Sequence, residues 1–121
     1  MSATNAKSGT LSETSELLDA LDRQFKAIMS RIADDIADSM RDPGGGNGFV
    51  NYFLTDHKDS ALSEETLKKA HVDIRQIESI AGFQKIKQFC DKKYYRIVFE
   101  FYLDFTKPGS PRLYKLTVDG W

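Results

Sequence analysis

The chain has 121 residues, 40% of them hydrophobic and 12% aromatic, with 17 basic and 18 acidic side chains and a formal charge of −1. That length suits one packed domain, the apolar content is that of a globular chain and not a disordered one, and the balanced charge argues against a general nucleic-acid binder. One cysteine, Cys90, rules out an internal disulfide and points to a reducing compartment.

Charge is spread unevenly, with six basic and ten acidic residues over 1–60 and eleven and eight over 61–121. This polarity would suit a charged partner, although two solvated faces explain it as well. Met1–Gly9 lacks the basic start and apolar core of a secretion signal. No apolar run nears the roughly 20 residues a spanning helix needs. A cytoplasmic protein without membrane contact is the expectation.

Residues 1–10 are small and polar and read as a disordered lead-in to a single domain over 11–121. After Thr10 and Glu13, a capping-box pattern to which Ser12 and Ser15 are alternative caps, apolar residues recur at three- and four-residue steps: Leu17, Leu18, Leu21, Phe25, Ile28, Met29, Ile32, Ile36 and Met40. This stripe predicts a long amphipathic helix over 11–41, stopped by Asp42-Pro43-Gly44-Gly45-Gly46-Asn47-Gly48. Phe49–Leu54 is a short apolar segment of undecided type, and Thr55–Ala61 a polar connector.

Ser63 caps a second helix, with Glu64 and Glu65 in its first turn and Leu62 and Leu67 placed as a hydrophobic staple. Leu67, Ala70, Ile74, Ile77 and Ala81 form its buried stripe and Gly82 its stop. Phe83–Cys90 fits helical spacing, but the preceding glycine favours a new strand. The strongest β signal is Tyr94–Val118. Tyr95, Ile97, Phe99, Phe101, Leu103 and Phe105 share one side, and Tyr94, Arg96, Val98, Glu100, Tyr102 and Asp104 the other. Lys107–Pro111 supplies the turn, and Tyr114, Leu116 and Val118 the buried side of the return strand. The expected fold is α+β: a long N-terminal amphipathic helix and a second helix packed on a curved antiparallel sheet that ends in a C-terminal hairpin.

Three features carry a family resemblance: the helix over 11–41, the segment Leu62-Ser63-Glu64-Glu65-Thr66-Leu67 leading to Ile80-Ala81-Gly82-Phe83, and the late hairpin closing on Leu116-Thr117-Val118-Asp119-Gly120-Trp121. In this order the chain resembles the cystatin-like α+β folds grouped around nuclear transport factor 2. The resemblance implies a cone-shaped pocket between helix and sheet and frequent dimers through the sheet. It implies no particular activity, because that scaffold hosts enzymes, carriers and binding modules alike.

Chemistry-bearing clusters are few. Thr55-Asp56-His57-Lys58-Asp59 gathers two carboxylates and an imidazole, without the spacing of a metal site. His71 reads as a half-buried structural residue of the second helix. Asp34, Asp38 and Asp42 crowd the unfavourable end of the first helix dipole and invite a basic neighbour. The glycines at 44–48 lack the ending of a phosphate loop. Lys92-Lys93-Tyr94-Tyr95-Arg96 mixes bases with aromatics as single-strand binders do, but Glu100 and Asp104 on the same strand face would repel phosphates.

The expected function is a non-catalytic protein-interaction or adaptor module. It would bind another protein or itself, as a homodimer, through the sheet face bearing Tyr94, Val98 and Tyr102. A second expectation is a small-ligand-binding protein or simple acid–base enzyme, its pocket lined by Tyr52, Phe99, Phe101 and Tyr114 with His57 as base. Nucleic-acid binding through the basic half is a third. No metal or cofactor is expected.

Overall fold

The computed structural model describes residues 2–42 and 48–121, with side chains from Ser12 onward in the first stretch. The long helix starts at Ser2 rather than at residue 11, and the expected disordered lead-in is helical backbone whose side chains lie outside the described residues; residues 43–47 of the glycine-rich stop lie outside them altogether. Helix α1 is Ser2–Arg41. Its predicted stripe is the spine of the core: Leu17, Leu21, Phe25, Ile28, Ile32 and Ile36 are all buried. Met40, at the end of that stripe, is half exposed.

The sheet has three antiparallel strands, β1 (Phe49–Phe53), β2 (Arg96–Leu103) and β3 (Arg112–Asp119). Their order is β1–β3–β2, so β3 is central, both other strands are edges, and the sheet stays open. Phe49–Leu54, undecided from sequence, is thus mostly strand. Register places Val50 and Tyr52 beside Val118 and Leu116, and these beside Ile97 and Phe99. Successive residues alternate sides, so these share the inner face, against α1. Buried Ile28, Ile32, Tyr52, Leu116 and Val118 fill the core between helix and sheet.

The second helix differs from expectation in its continuity. It is three pieces: α2 (Glu64–Lys69), α3 (Ile74–Glu78) and α4 (Ala81–Lys92). Ser63 caps α2 as predicted, its side chain accepting from the Thr66 amide. The helix then ends in a Schellman motif. His71 adopts φ 55°, its N–H donates to Lys68, and the Val72 N–H donates to Leu67. Leu67 and Val72 are both buried, which supplies the apolar contact this motif favours. His71 is therefore exposed and outside the helix, not half-buried within it. Asp73 restarts the chain through a capping box with Gln76, both bonds 2.9 Å.

Phe83–Cys90 is helix, and the strand expectation fails. Gly82 is not a stop but the second residue of α4. Asp22 of α1 caps this helix from outside, its Oδ1 accepting from the Gly82 N–H at 2.9 Å. A Cβ on Gly82 would meet that oxygen at 2.8 Å and the Phe25 Cβ at 2.9 Å. Glycine is there because two helices touch, and the touch seats Phe83 edge-on to Phe25, ring centroids 5.5 Å apart. Lys26 lies 2.8 Å from the same carboxylate. Its hydrogen bond, with that of Gly82, holds the Asp22 carboxyl below its usual range.

Candidate protein-interaction surface

The hairpin forms where predicted, but its strand ends at Leu103, before Phe105. Asp104 accepts from the Thr106 N–H at 3.0 Å, an Asx turn that redirects the chain, and its own N–H donates to the Pro111 carbonyl at 3.0 Å. Gly109 then takes φ 79° and Ser110 43° to reverse direction. Phe105 belongs to this turn rather than to the odd-numbered strand face.

The odd-numbered face divides in two. Ile97 and Phe99 pack on the core, with Phe99 stacked on Tyr114 at 5.2 Å and 4° between planes. Beyond them the helices no longer cover the sheet. Phe101 is 51% exposed, Leu103 41% and Phe105 78%. Arg112 lies over the Phe101 ring at 4.9 Å and reaches Glu64 of α2 at 3.4 Å, tying the turn end of the hairpin to the body. A cleft of about 400 Å³ opens there between α2 and the turn, lined by Ser63, Glu64, Lys68, Pro111 and Arg112. The expectation that the whole face from Tyr95 to Phe105 is core therefore holds only for its first half.

The even-numbered face is a ladder of satisfied pairs. Arg96 grips Asp119 through two bonds of 2.9 and 2.7 Å, which holds the Asp119 carboxyl low and the guanidinium high. Thr117 Oγ1 lies 2.7 Å from Asn51 and 3.1 Å from Glu100, and Lys115 is 3.8 Å from Glu100. Tyr102 packs edge-on to Phe53 at 5.4 Å, opposite buried Leu113. Val98 is half-buried. Tyr94 is 92% exposed but stands in the turn after α4, with φ 60°, not on β2. The three residues expected to make one patch are thus divided between strand and turn. The sequence pattern already contained Leu103 and Phe105 but assigned them to the core; no local signal reveals where the helical layer stops.

The residues expected to line a pocket also separate. Tyr52 is buried, its hydroxyl donating to Asp35 at 2.6 Å under the Arg31 guanidinium. Burial and the Asp35 carboxylate push that phenol above its ordinary pKa. Phe99 and Tyr114 stack on the inner face, and Phe101 lies beyond them. His57 is elsewhere, in a loop that the Thr55–Ala61 bridge closes and Gln24 clamps through both Thr55 backbone groups at 2.8 Å. Buried Asp56 holds this loop by accepting from the Lys58 and Ser60 amides. The His57 side chain is 7% exposed, and neither ring nitrogen has a hydrogen-bond partner; the nearest Glu13 carboxylate oxygen is 3.9 Å away.

Among the described residues, no three His, Cys, Asp or Glu side chains come together as a metal site, and no helix is long and apolar enough to cross a membrane. Asp35 pairs with Arg31 and Asp38 with Arg41, so these two carboxylates find their cations within α1. In the basic–aromatic run, Arg96 is tied to Asp119, and Tyr95 packs on Trp121 at 5.3 Å. Cys90 is buried, and burial pushes its thiol up to about 11.

No protein-family model matches the chain, and no curated protein or solved structure matches it either.

Proposed function

We propose that the chain is a non-catalytic protein-interaction module, and that its working surface is the distal half of the β2–β3 hairpin. The observation that carries this reading is the exposure of Phe101, Leu103 and Phe105, consecutive alternate positions of one hairpin that the helices leave uncovered. Large apolar side chains grouped this way are costly in water and mark interaction sites. The polar groups of the sheet support the reading, because they are spent on pairs with one another rather than aimed at a common point. The long first helix on an open antiparallel sheet supports membership of the cystatin-like folds around nuclear transport factor 2, which we include in the proposal.

A photo-crosslinking side chain at position 103 or 105, introduced into the protein in its own cells, tests the reading. Discrete covalent adducts are expected there and not from Arg75, an exposed control on α3. Absence of adducts at both hairpin positions would contradict it.

One observation favours a second reading, a small polar ligand at His57. Two buried nitrogens without partners leave hydrogen-bonding capacity unused, and clefts of about 240 and 260 Å³ adjoin the ring. A fragment screen followed by NMR would show shifts concentrated at His57, Ser60 and Lys69; their absence across a chemically broad set removes this reading.

A further inference from the structure

We propose that two copies of this chain associate through the free edge of β2, antiparallel about a two-fold axis at Val98, to form one continuous six-stranded sheet. The proposal rests on the hairpin being the interaction surface and commits that surface to a second copy.

Hydrogen-bond parity shows which groups are free. The Asp104 N–H donates to Pro111, and bonded pairs alternate along an antiparallel ladder. Tyr102 with Leu113, Glu100 with Lys115, Val98 with Thr117 and Arg96 with Asp119 are therefore the bonded pairs. Tyr114 is consistent with this, since it bonds Leu54 and Leu62 on the opposite side of β3. The backbone groups of Ile97, Phe99, Phe101 and Leu103 consequently point off the sheet. Among the described residues no strand pairs with them. β2 also has neither proline nor lysine over its eight residues, two of the usual protections of an edge, and its charges, Arg96 and Glu100, are of opposite sign. β1, the other edge, has only five residues.

Charge then selects the register. Only odd-numbered residues present free backbone groups, and the two-fold antiparallel pairings that keep at least five residues of β2 together centre on Val98, Phe99, Glu100 or Phe101. Centring on Phe101 sets Glu100 opposite Tyr102, with no ion pair. Centring on Glu100 sets two carboxylates face to face, which is destabilising. Centring on Phe99 sets Arg96 opposite Tyr102 and Val98 opposite Glu100, with no ion pair. Centring on Val98 sets Arg96 opposite Glu100 of the second copy, twice, at the close non-bonded positions where side chains touch. Asp119 occupies Nε and Nη2 of Arg96, and Nη1 has room for the new carboxylate. On the inner face Ile97 meets Phe99 and exchanges both backbone bonds with it. Tyr95 comes opposite Phe101, so the second copy's helical layer covers the half of the hairpin its own layer leaves bare.

The paired segment is short, so the interface falls in the smaller class, below about 1,200 Å², and the dimer dissociates at roughly micromolar concentration. Light scattering across a dilution series of the full chain should show the mass rising from 13.7 kDa towards twice that value. Under mild oxidation Val98→Cys should crosslink at least tenfold faster than Glu100→Cys, because only position 98 meets itself across the axis at disulfide distance. Native Cys90 is buried and does not compete. Val98→Lys, on the outer face where a longer side chain fits, should stay monomeric throughout with an unchanged circular dichroism spectrum. A wild-type monomer at millimolar concentration would overturn the proposal, and so would faster crosslinking at 100 than at 98. Photo-adducts at 103 with a different protein, from a chain that stays monomeric, would overturn self-pairing while leaving the interaction module standing; no adducts and no dimer would remove both.

Discussion

Replacing Gly82 by alanine adds one carbon to the first turn of α4. Helix propensity alone predicts a gain of about 1 kcal/mol, because glycine is the poorer helix former. The structure predicts the opposite sign. The added carbon would sit 2.8 Å from Asp22 Oδ1, 2.9 Å from Phe25 Cβ and 3.0 Å from the Asp22 carbonyl oxygen. The last two are parts of a buried helix that cannot swing aside. Overpacking of this kind costs about 1–3 kcal/mol, and displacing Asp22 from the Gly82 amide forfeits a cap worth about 1 kcal/mol. Set against the propensity gain, the net loss is about 2 kcal/mol, or roughly 6–12 °C in Tm for a chain of this size. Thermal and urea unfolding of Gly82→Ala, Asp22→Ala and the double variant measure it. The double variant should lose less than the sum of the singles, since shortening Asp22 makes room. A Gly82→Ala protein as stable as wild type, or more so, would refute the account of how α1 and α4 meet.

Further outcomes follow from the same contacts. His71→Gly should stabilise by about 1 kcal/mol, measured by urea unfolding, because it relieves a left-handed conformation that glycine adopts freely. Tyr52→Phe should destabilise by about 1.5–3 kcal/mol in the same assay, since it removes a buried hydrogen bond to the Asp35 carboxylate. The carboxyls of Asp22, Glu64, Asp104 and Asp119 are all held below their ordinary range. Their contribution is therefore present above about pH 4 and lost as pH falls further; Asp22→Asn should flatten that acid limb in pH-dependent unfolding. The Cys90 thiol is raised, so it favours folding at neutral pH and loses that effect as pH climbs towards about 11. Ellman's reagent should accordingly leave the native protein unmodified and react fully in urea.

The helix stripe from Leu17 to Ile36 and the hairpin alternation from Ile97 to Phe101 were legible in the sequence, because both are periodic and long. The break at His71 was not, since a Schellman motif announces itself through glycine and here a histidine takes the left-handed position. Asp73 and Gln76 carried a capping box, but the apolar stripe through Ile74 and Ile77 bridged it and concealed the restart. Gly82 misled for a different reason: its lack of a side chain serves a contact with α1, sixty residues away in the chain, and no local pattern distinguishes that from a helix stop. The surface proposed for interaction was legible as apolar hairpin positions but not as surface, since Phe101, Leu103 and Phe105 were expected on the core face. Their alternation was legible, but Leu103 and Phe105 are on the surface because no helix covers the turn end of the hairpin, which no local pattern announces. Tyr102 and Val98, expected as the open patch, are half-buried because β1 brings Phe53 alongside Tyr102.

Amide hydrogen exchange along β2, followed by NMR at low and high protein concentration, tests the free edge most directly. Association through that edge predicts that the Ile97 and Phe99 amides exchange freely in dilute solution and become protected as concentration rises. The Val98 and Glu100 amides, already bonded to β3, should stay protected at both concentrations. Odd-numbered amides that exchange at the same rate whatever the concentration would contradict it.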